Sequence, residues 1–175
     1  MPKSSKEQID LDEKKVIGGL EKNAKESIDE MAKNCGFSRQ KVWRVIKRLE
    51  RNKTIWGYTA IADDSNRNLT QYTVLIKRTS LPLTEKLADT IVVRKIEDLV
   101  PTTKVRIENS YYVHGEYDWI ITFTAENIKQ AKKFCETLNK VYQGYIKELH
   151  LLETMFTIRR QGILNPETHK LKEFL

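Results

Sequence analysis

Gly36 constrains the local structure of this chain more than any other residue. It stands between two stretches of helical period, Ser27 to Cys35 and Ser38 to Lys53, and only glycine enters a left-handed helix-ending conformation there without a steric cost. Ser27 is placed to cap the first helix and Glu30, three residues on, to close a capping box. Ile28, Met31, Ala32 and Cys35 supply that helix's apolar stripe. Ser38 offers a second N-cap, after which Val42, Val45, Ile46 and Leu49 recur at helical spacing and commit one side of the second helix to a core. Two such helices about a glycine turn make a helix-turn-helix. The threonine, isoleucine and aromatic content of Thr54 to Ala62 predicts a strand after it, with Trp56 packed beneath, as in a winged form.

A helix advances about 100° per residue, which sets Gln40, Arg44, Lys47 and Arg51 opposite the apolar stripe, with Lys41 and Arg48 on one flank and Trp43 on the other. From Ser38 to Lys53 seven Lys or Arg stand against one acid, Glu50; the surplus of six compares with a net +7 for all 175 residues. A merely solvated face mixes signs at i,i+4 spacing. A face of one sign repels itself, a cost that is offset when the partner is a polyanion whose condensed counterions are released. The segment points to double-stranded DNA, with Ser38, Arg39, Gln40, Lys41, Trp43, Arg44, Lys47, Arg48 and Arg51 as its contacts. Arg44 and Gln40 in the first turns reach base edges, while Lys47, Arg48 and Arg51 further along meet phosphates. Trp43 either stacks on a sugar or covers the edge of the core.

The rest of the chain frames this segment. Residues 1–8 are polar and expected to be disordered. Asp10 to Asn23 reads as a helix on Leu11, Val16, Ile17 and Leu20, capped by Asp10 or Asp12; Gly18-Gly19 inside it marks either a close approach by another helix or a break. Residues 63–70, DDSNRNLT, lose apolar periodicity and read as a linker, dividing a domain at 1–62 from one at 71–160, with a tail at 161–175. Charge divides the same way: residues 1–62 hold 14 basic and 9 acidic groups, residues 63–175 hold 17 and 15.

In the second part, strands are expected at Gln71–Thr79, Lys104–His114, Asp118–Thr124 and Ile146–Arg159, and helices at Leu83–Leu99 and Glu126–Tyr142, with Gly115-Glu116-Tyr117 closing a hairpin. The order βαββαβ predicts two helices on one face of an antiparallel sheet. The chain is thus α+β: an N-terminal winged helix-turn-helix domain joined to a C-terminal ferredoxin-like sandwich. Leu75, Ile121 and Phe123 are assigned to the sheet face away from the helices, which a second subunit is then expected to cover, giving a homodimer, or a tetramer or octamer.

The run Phe37-Ser38 to Arg48-Leu49-Glu50, followed by Ile55, Gly57 and Tyr58, resembles the Lrp/AsnC (feast/famine) transcription regulators, of archaeal type, whose reading helix ends in Arg-Leu-Glu and leads into an Ile-x-Gly-Tyr strand. Tyr112-Val113-His114-Gly115-Glu116-Tyr117-Asp118 resembles the same family's Val-x-Gly-x-Tyr-Asp loop. Val45 replaces an arginine common in the family and Lys53 a glycine, so Asn52 or Lys53 is expected to take the unusual backbone angle itself. The resemblance implies a sequence-specific DNA-binding transcriptional regulator with an amino acid or other small molecule as effector, held by His114, Gly115, Tyr117 and Asp118. Gly115 permits close approach, the turn amides suit a carboxylate, and Asp118 suits an ammonium group. Asp118 serves equally well to fix the turn, and a helix from Leu83 longer than the family norm equally well to fill the pocket.

Other classes find little support. No run of 18 apolar residues and no apolar signal segment is present, so neither a membrane nor an export route is expected, and the cytoplasm is the expected location. Three histidines (114, 150 and 169), no glycine-rich phosphate loop and no metal-spaced Cys or His pair leave no case for a cofactor, a metal or catalysis. Cys35 and Cys135 read as single buried thiols, and His150, in an alternating strand, as a structural histidine. The alternative is an enzyme like the siroheme decarboxylases, which share this fold and act on a tetrapyrrole through histidine and arginine, with His114 in that role.

Overall fold

The computed structural model describes residues 5–85, 88 and 104–175. The chain divides into two compact units, Met1–Ala60 and Ile61–Leu175.

The first unit holds α1 (Lys6–Lys22), α2 (Ile28–Cys35) and α3 (Arg39–Arg51). α1 starts at Lys6 rather than Asp10, because the Ser5 side chain accepts from the Gln8 amide and caps it. The helix runs unbroken through both glycines. A Cβ at Gly19 would meet Met31 Cγ at 3.7 Å, an ordinary van der Waals contact, and Gly18 faces open space, so neither glycine is required by the approach of another helix. The Ser27–Glu30 capping box is formed, Ser38 caps α3, and Gly36 takes φ 70°. Val16, Met31, Ala32, Val42, Val45 and Leu49 fill the core. Lys53, at φ 58°, carries the left-handed angle after α3.

The strand expected at Thr54–Ala62 is not formed. The amides of Thr54 and Ile55 both donate to the Leu49 carbonyl, at 2.9 and 3.2 Å, and finish α3. From residue 56 to 63 no backbone amide finds a partner among the described residues. A strand needs a neighbour for its backbone groups, and this unit is otherwise helical. Trp56, expected beneath a strand, is 96% exposed.

The second unit is a four-stranded antiparallel sheet with the order β2-β3-β1-β4, from β1 (Thr70–Arg78), β2 (Arg106–Tyr112), β3 (Trp119–Ala125) and β4 (Ile146–Glu153). α4 (Ile128–Val141), capped by Asn127, packs on one face through Ala131, Phe134, Cys135 and Leu138. Burial pushes the Cys135 thiol up to about 11, and both cysteines are free. The expected helix Leu83–Leu99 lies for the most part outside the described residues.

Register corrects one assignment. Ile121 pairs with Val74 and Phe123 with Tyr72, and all four are buried on the helix side. The opposite face presents Leu75, paired with Ile120 and with His150, and Leu152, paired with Thr73. β3 alternates Trp119, Ile121, Phe123 and Ala125 on one side with Ile120, Thr122 and Thr124 on the other, so the more apolar side is the one turned to the helix, and the assignment of Ile121 and Phe123 to the open face ran against that alternation. β4 also stops at Glu153 instead of Arg159. Its last partner is Tyr72, after which the Thr154 amide still donates to the Gln71 carbonyl at 2.9 Å, next to the start of β1 at Thr70. Arg159 and Arg160 form β5 (Arg159–Arg160), which pairs with β6 (Ile163–Leu164), and a 3-10 helix, Thr168–Phe174, follows.

The expected linker at 63–70 contains a 3-10 turn, Ser65–Arg67. Its Asp64 is buried and ion-paired to Arg67 and, at 2.6 Å, to Arg160. Arg160 also lies 3.7 Å from Glu108, which accepts from Gln71 at 3.0 Å.

Candidate nucleic-acid interface

α3 carries nearly all the residues singled out for DNA, and packing against α1 sorts them into two groups. Lys41 and Arg48, seven residues apart and so on one side of the helix, face α1. Lys41 Nζ is 2.7 Å from Asp12 Oδ2 and 4.0 Å from the Phe37 ring centre. Arg48 Nε is 2.6 Å from Glu13 Oε1. The Lys41 hydrogen bond holds the Asp12 carboxyl below the usual carboxylate range against the opposing effect of burial. These two cations join α3 to α1, a role the flank reading missed because the acids come from another element.

Arg39, Gln40, Trp43, Arg44, Lys47 and Arg51 remain exposed. Gln40, Arg44, Lys47 and Arg51 form a line along α3, about 17 Å at 1.5 Å rise per residue. Arg44 Nε reaches only its own helix, at the Gln40 carbonyl, and Arg51 makes no ion pair among the described residues. Arg39 meets Asp29 at 3.4 Å with both side chains more than half exposed, a weak contact. Glu50, the one acid, accepts from Lys47 at 2.8 Å and from Tyr58 at 3.2 Å. A helix 10–12 Å across with such a line fits the major groove, about 12 Å wide.

Beside the line lies a recess of about 380 Å³ bounded by Ile28, Arg39, Gln40, Trp43 and Arg44. Trp43 is 52% exposed and borders the recess beside Ile28, which itself packs against the helical core. Sequence reasoning placed Ile28 wholly in the core stripe and so gave no sign of this recess.

The four residues expected to hold an effector gather at the β2–β3 turn. His114 and Gly115 are exposed. Tyr117 stands edge-on to His150 with ring centres 5.9 Å apart. Asp118 Oδ2 accepts from the Arg78 amide at 2.8 Å while its own amide donates to Ile76, so this carboxylate ties down β1 rather than the turn's own amides. The tetrapyrrole alternative asks His114 to line a pocket, whereas it stands at the exposed hairpin tip. No helix among the described residues is long and apolar enough to cross a membrane.

Two capped helices about a left-handed glycine, the second with a one-signed outer face, together with an antiparallel α+β sandwich, define a helix-turn-helix chain with a ferredoxin-like second domain. Known proteins agree: residues 13–55 match the family model described as winged helix-turn-helix DNA-binding. Among solved structures, the chain is similar to an AsnC family transcriptional regulator from Agrobacterium tumefaciens, at 18% identity and TM-score 0.64, covering 89% of this chain and 96% of that one. It is similar to a feast or famine regulatory protein from M. tuberculosis complexed with L-methionine, at 16% identity and TM-score 0.65, covering 87% and 95%. It is also similar to a transcriptional regulator from Neisseria meningitidis in an L-Met complex, at 15% identity and TM-score 0.64, covering 95% and 99%. No curated protein matches the chain. At these identities the likeness establishes the fold, that of the Lrp/AsnC regulators.

Proposed function

We propose that this chain is a sequence-specific DNA-binding transcriptional regulator of the Lrp/AsnC kind, working as a dimer or a larger assembly of dimers in the cytoplasm and doing no chemistry of its own. The observation that carries the reading is the exposed line Gln40, Arg44, Lys47 and Arg51 on the second helix of a helix-turn-helix. Electrostatic repulsion along that line has no internal remedy beyond Glu50, and a phosphate backbone supplies one. Residues 1–62 serve as the DNA-binding domain, and the sandwich at 71–160 serves assembly and control.

Two features support assembly. The amides of residues 56–63 lack partners among the described residues, next to a Trp56 that is 96% exposed. The open sheet face carries Leu75, Ile120 and a half-exposed Leu152. Control by an amino acid is supported by the fold shared with proteins solved with L-methionine, and we place the site at His114, Gly115, Tyr117 and Asp118. Oδ1 of Asp118 makes no hydrogen bond among the described residues and suits an ammonium group.

Selection of a 30-base-pair duplex from a random library with the full chain, followed by anisotropy titration against scrambled duplex at several salt concentrations, tests the reading. A selected duplex bound at least a hundredfold tighter, with affinity falling steeply with salt, is the expected result. Equal affinity for selected and scrambled duplexes would overturn it.

A further inference from the structure

The cationic line accounts for phosphate attraction but not for the recess beside it. Three of the five residues around that recess, Arg39, Gln40 and Arg44, are polar, yet its walls are apolar; their hydrocarbon stems line it and their polar ends lie at the rim, as long side chains do when one end prefers water. Ile28 in the first turn of α2 and the half-exposed indole of Trp43 complete the lining. An occupant must therefore offer a small apolar group set among negative charge. On a duplex the negative charge is the backbone, and the apolar group that base edges display in the major groove is the C5 methyl of thymine.

We propose that Ile28 and Trp43 form a thymine-reading site, in which the C5 methyl groups of neighbouring thymines enter between the indole and the isoleucine while Arg39 and Arg44 hold the adjoining phosphates or base edge. The inference rests on the DNA-binding reading and adds to it a base preference and the residues that set it. Trp43 lies three residues after Gln40 and one before Arg44, in the first two turns of α3, where a recognition helix reaches base edges. The size fits more than one methyl: about 380 Å³ is more than ten times the roughly 30 Å³ that one water occupies in the liquid. Two successive thymines suit it better than one. The recess also explains why an aromatic ring is left half in water at a position where arginine would add charge.

The test replaces thymine by deoxyuridine, which removes the methyl and leaves the hydrogen-bonding edge unchanged. The probe is the duplex selected with the full chain, resynthesised with deoxyuridine at each thymine in turn to give the uridine forms. Substitution at one or two positions in each half-site is expected to weaken binding about fourfold per methyl, the equivalent of one buried CH2 group, with little effect elsewhere. Trp43→Ala is expected to bind thymine and uridine forms equally, and Trp43→Phe to keep part of the difference. Because the ring is half exposed, both variants should melt as cooperatively as the parent. Equal binding of thymine and uridine forms by the parent chain overturns the inference, as does a Trp43→Ala protein that keeps the difference, since the effect would then come from duplex shape. If the chain prefers no duplex, the regulator reading itself fails and this inference falls with it; a selected duplex indifferent to uridine removes the thymine site alone.

Discussion

An ammonium group 2.7 Å from a buried carboxylate and 4.0 Å from an aromatic ring centre holds two elements together, and Lys41 does this for α3 and α1 through Asp12 and Phe37. The folded Asp12 carboxyl sits below its ordinary value of 3.8, chiefly through the Lys41 hydrogen bond. A depressed carboxylate contributes stability above its unfolded pKa and loses it as pH falls through the folded one. The helical unit is therefore expected to weaken below about pH 4, and Asp12→Asn to flatten that part of a thermal-melt-against-pH curve while lowering neutral-pH stability by about 1 to 2 kcal/mol. No change in the acid limb with Asp12→Asn would contradict this. The arginines separate by the same logic. Arg44→Ala is expected to relax preference at one base position at a cost of about 1 to 3 kcal/mol of binding. Arg48→Ala, which breaks the contact with Glu13, should lower the melting temperature and leave the specific-to-random affinity ratio intact. Anisotropy on selected and scrambled duplexes, beside thermal melts, distinguishes the two; a base-specific loss with Arg48→Ala would return that residue to the interface.

Helix ends are where the sequence was most readable. Ser27 with Glu30, Gly36 and Ser38 act within four residues of themselves, so spacing alone identifies them, and the structure has each in its capping role. Gly36 offers a clean measurement. A Cβ there would touch nothing within 4 Å, so Gly36→Ala should cost about 1 to 2 kcal/mol from the left-handed backbone alone. Lys53 lies at φ 58° with a side chain already present, and Lys53→Gly should raise stability by about 0.5 to 1 kcal/mol. Denaturant titration of both variants checks the pair; stabilisation by the alanine or destabilisation by the glycine would contradict the backbone argument. Most of what failed to read correctly depended on distant partners. The stretch after Thr54 has strand composition, but strands are completed by neighbours, and none lies within its unit. Ile121 and Phe123 were assigned to the wrong sheet face by grouping them with Leu75 across strands, although their own alternation with Thr122 and Thr124 and their pairing with Val74 and Tyr72 put them inside. The ion pairs of Lys41 with Asp12 and of Arg48 with Glu13 could not be read because those acids lie on another helix. The Ile28–Trp43 recess was invisible for the same reason: it exists only when α2 and α3 meet.

For the whole molecule, the expected assembly is checked by sedimentation, with a dimer or larger species at micromolar concentration; a stable monomer there would remove the palindromic operator that two reading heads demand. Calorimetric titration with L-methionine and the other common amino acids checks control. Asp118→Asn is the informative variant, because the amide oxygen still accepts from Arg78 while the charge that would hold an ammonium group is gone. Heat of binding in the parent and none in Asp118→Asn, at equal melting temperature, is the expected pattern; equal heats in both would displace the effector from this turn. A last consequence concerns the order in which the parts come into being. Asp64 and Arg160, joined at 2.6 Å, are 96 positions apart, whereas every contact of the helix-turn-helix core closes within the first sixty residues. At synthesis rates of about 5 to 20 residues per second, Arg160 follows Ala60 by roughly five to twenty seconds. Through that interval a ribosome carries a complete helix-turn-helix and an incomplete sandwich, so an assembly built through the sandwich, as proposed above, would form only once Arg160 has been made.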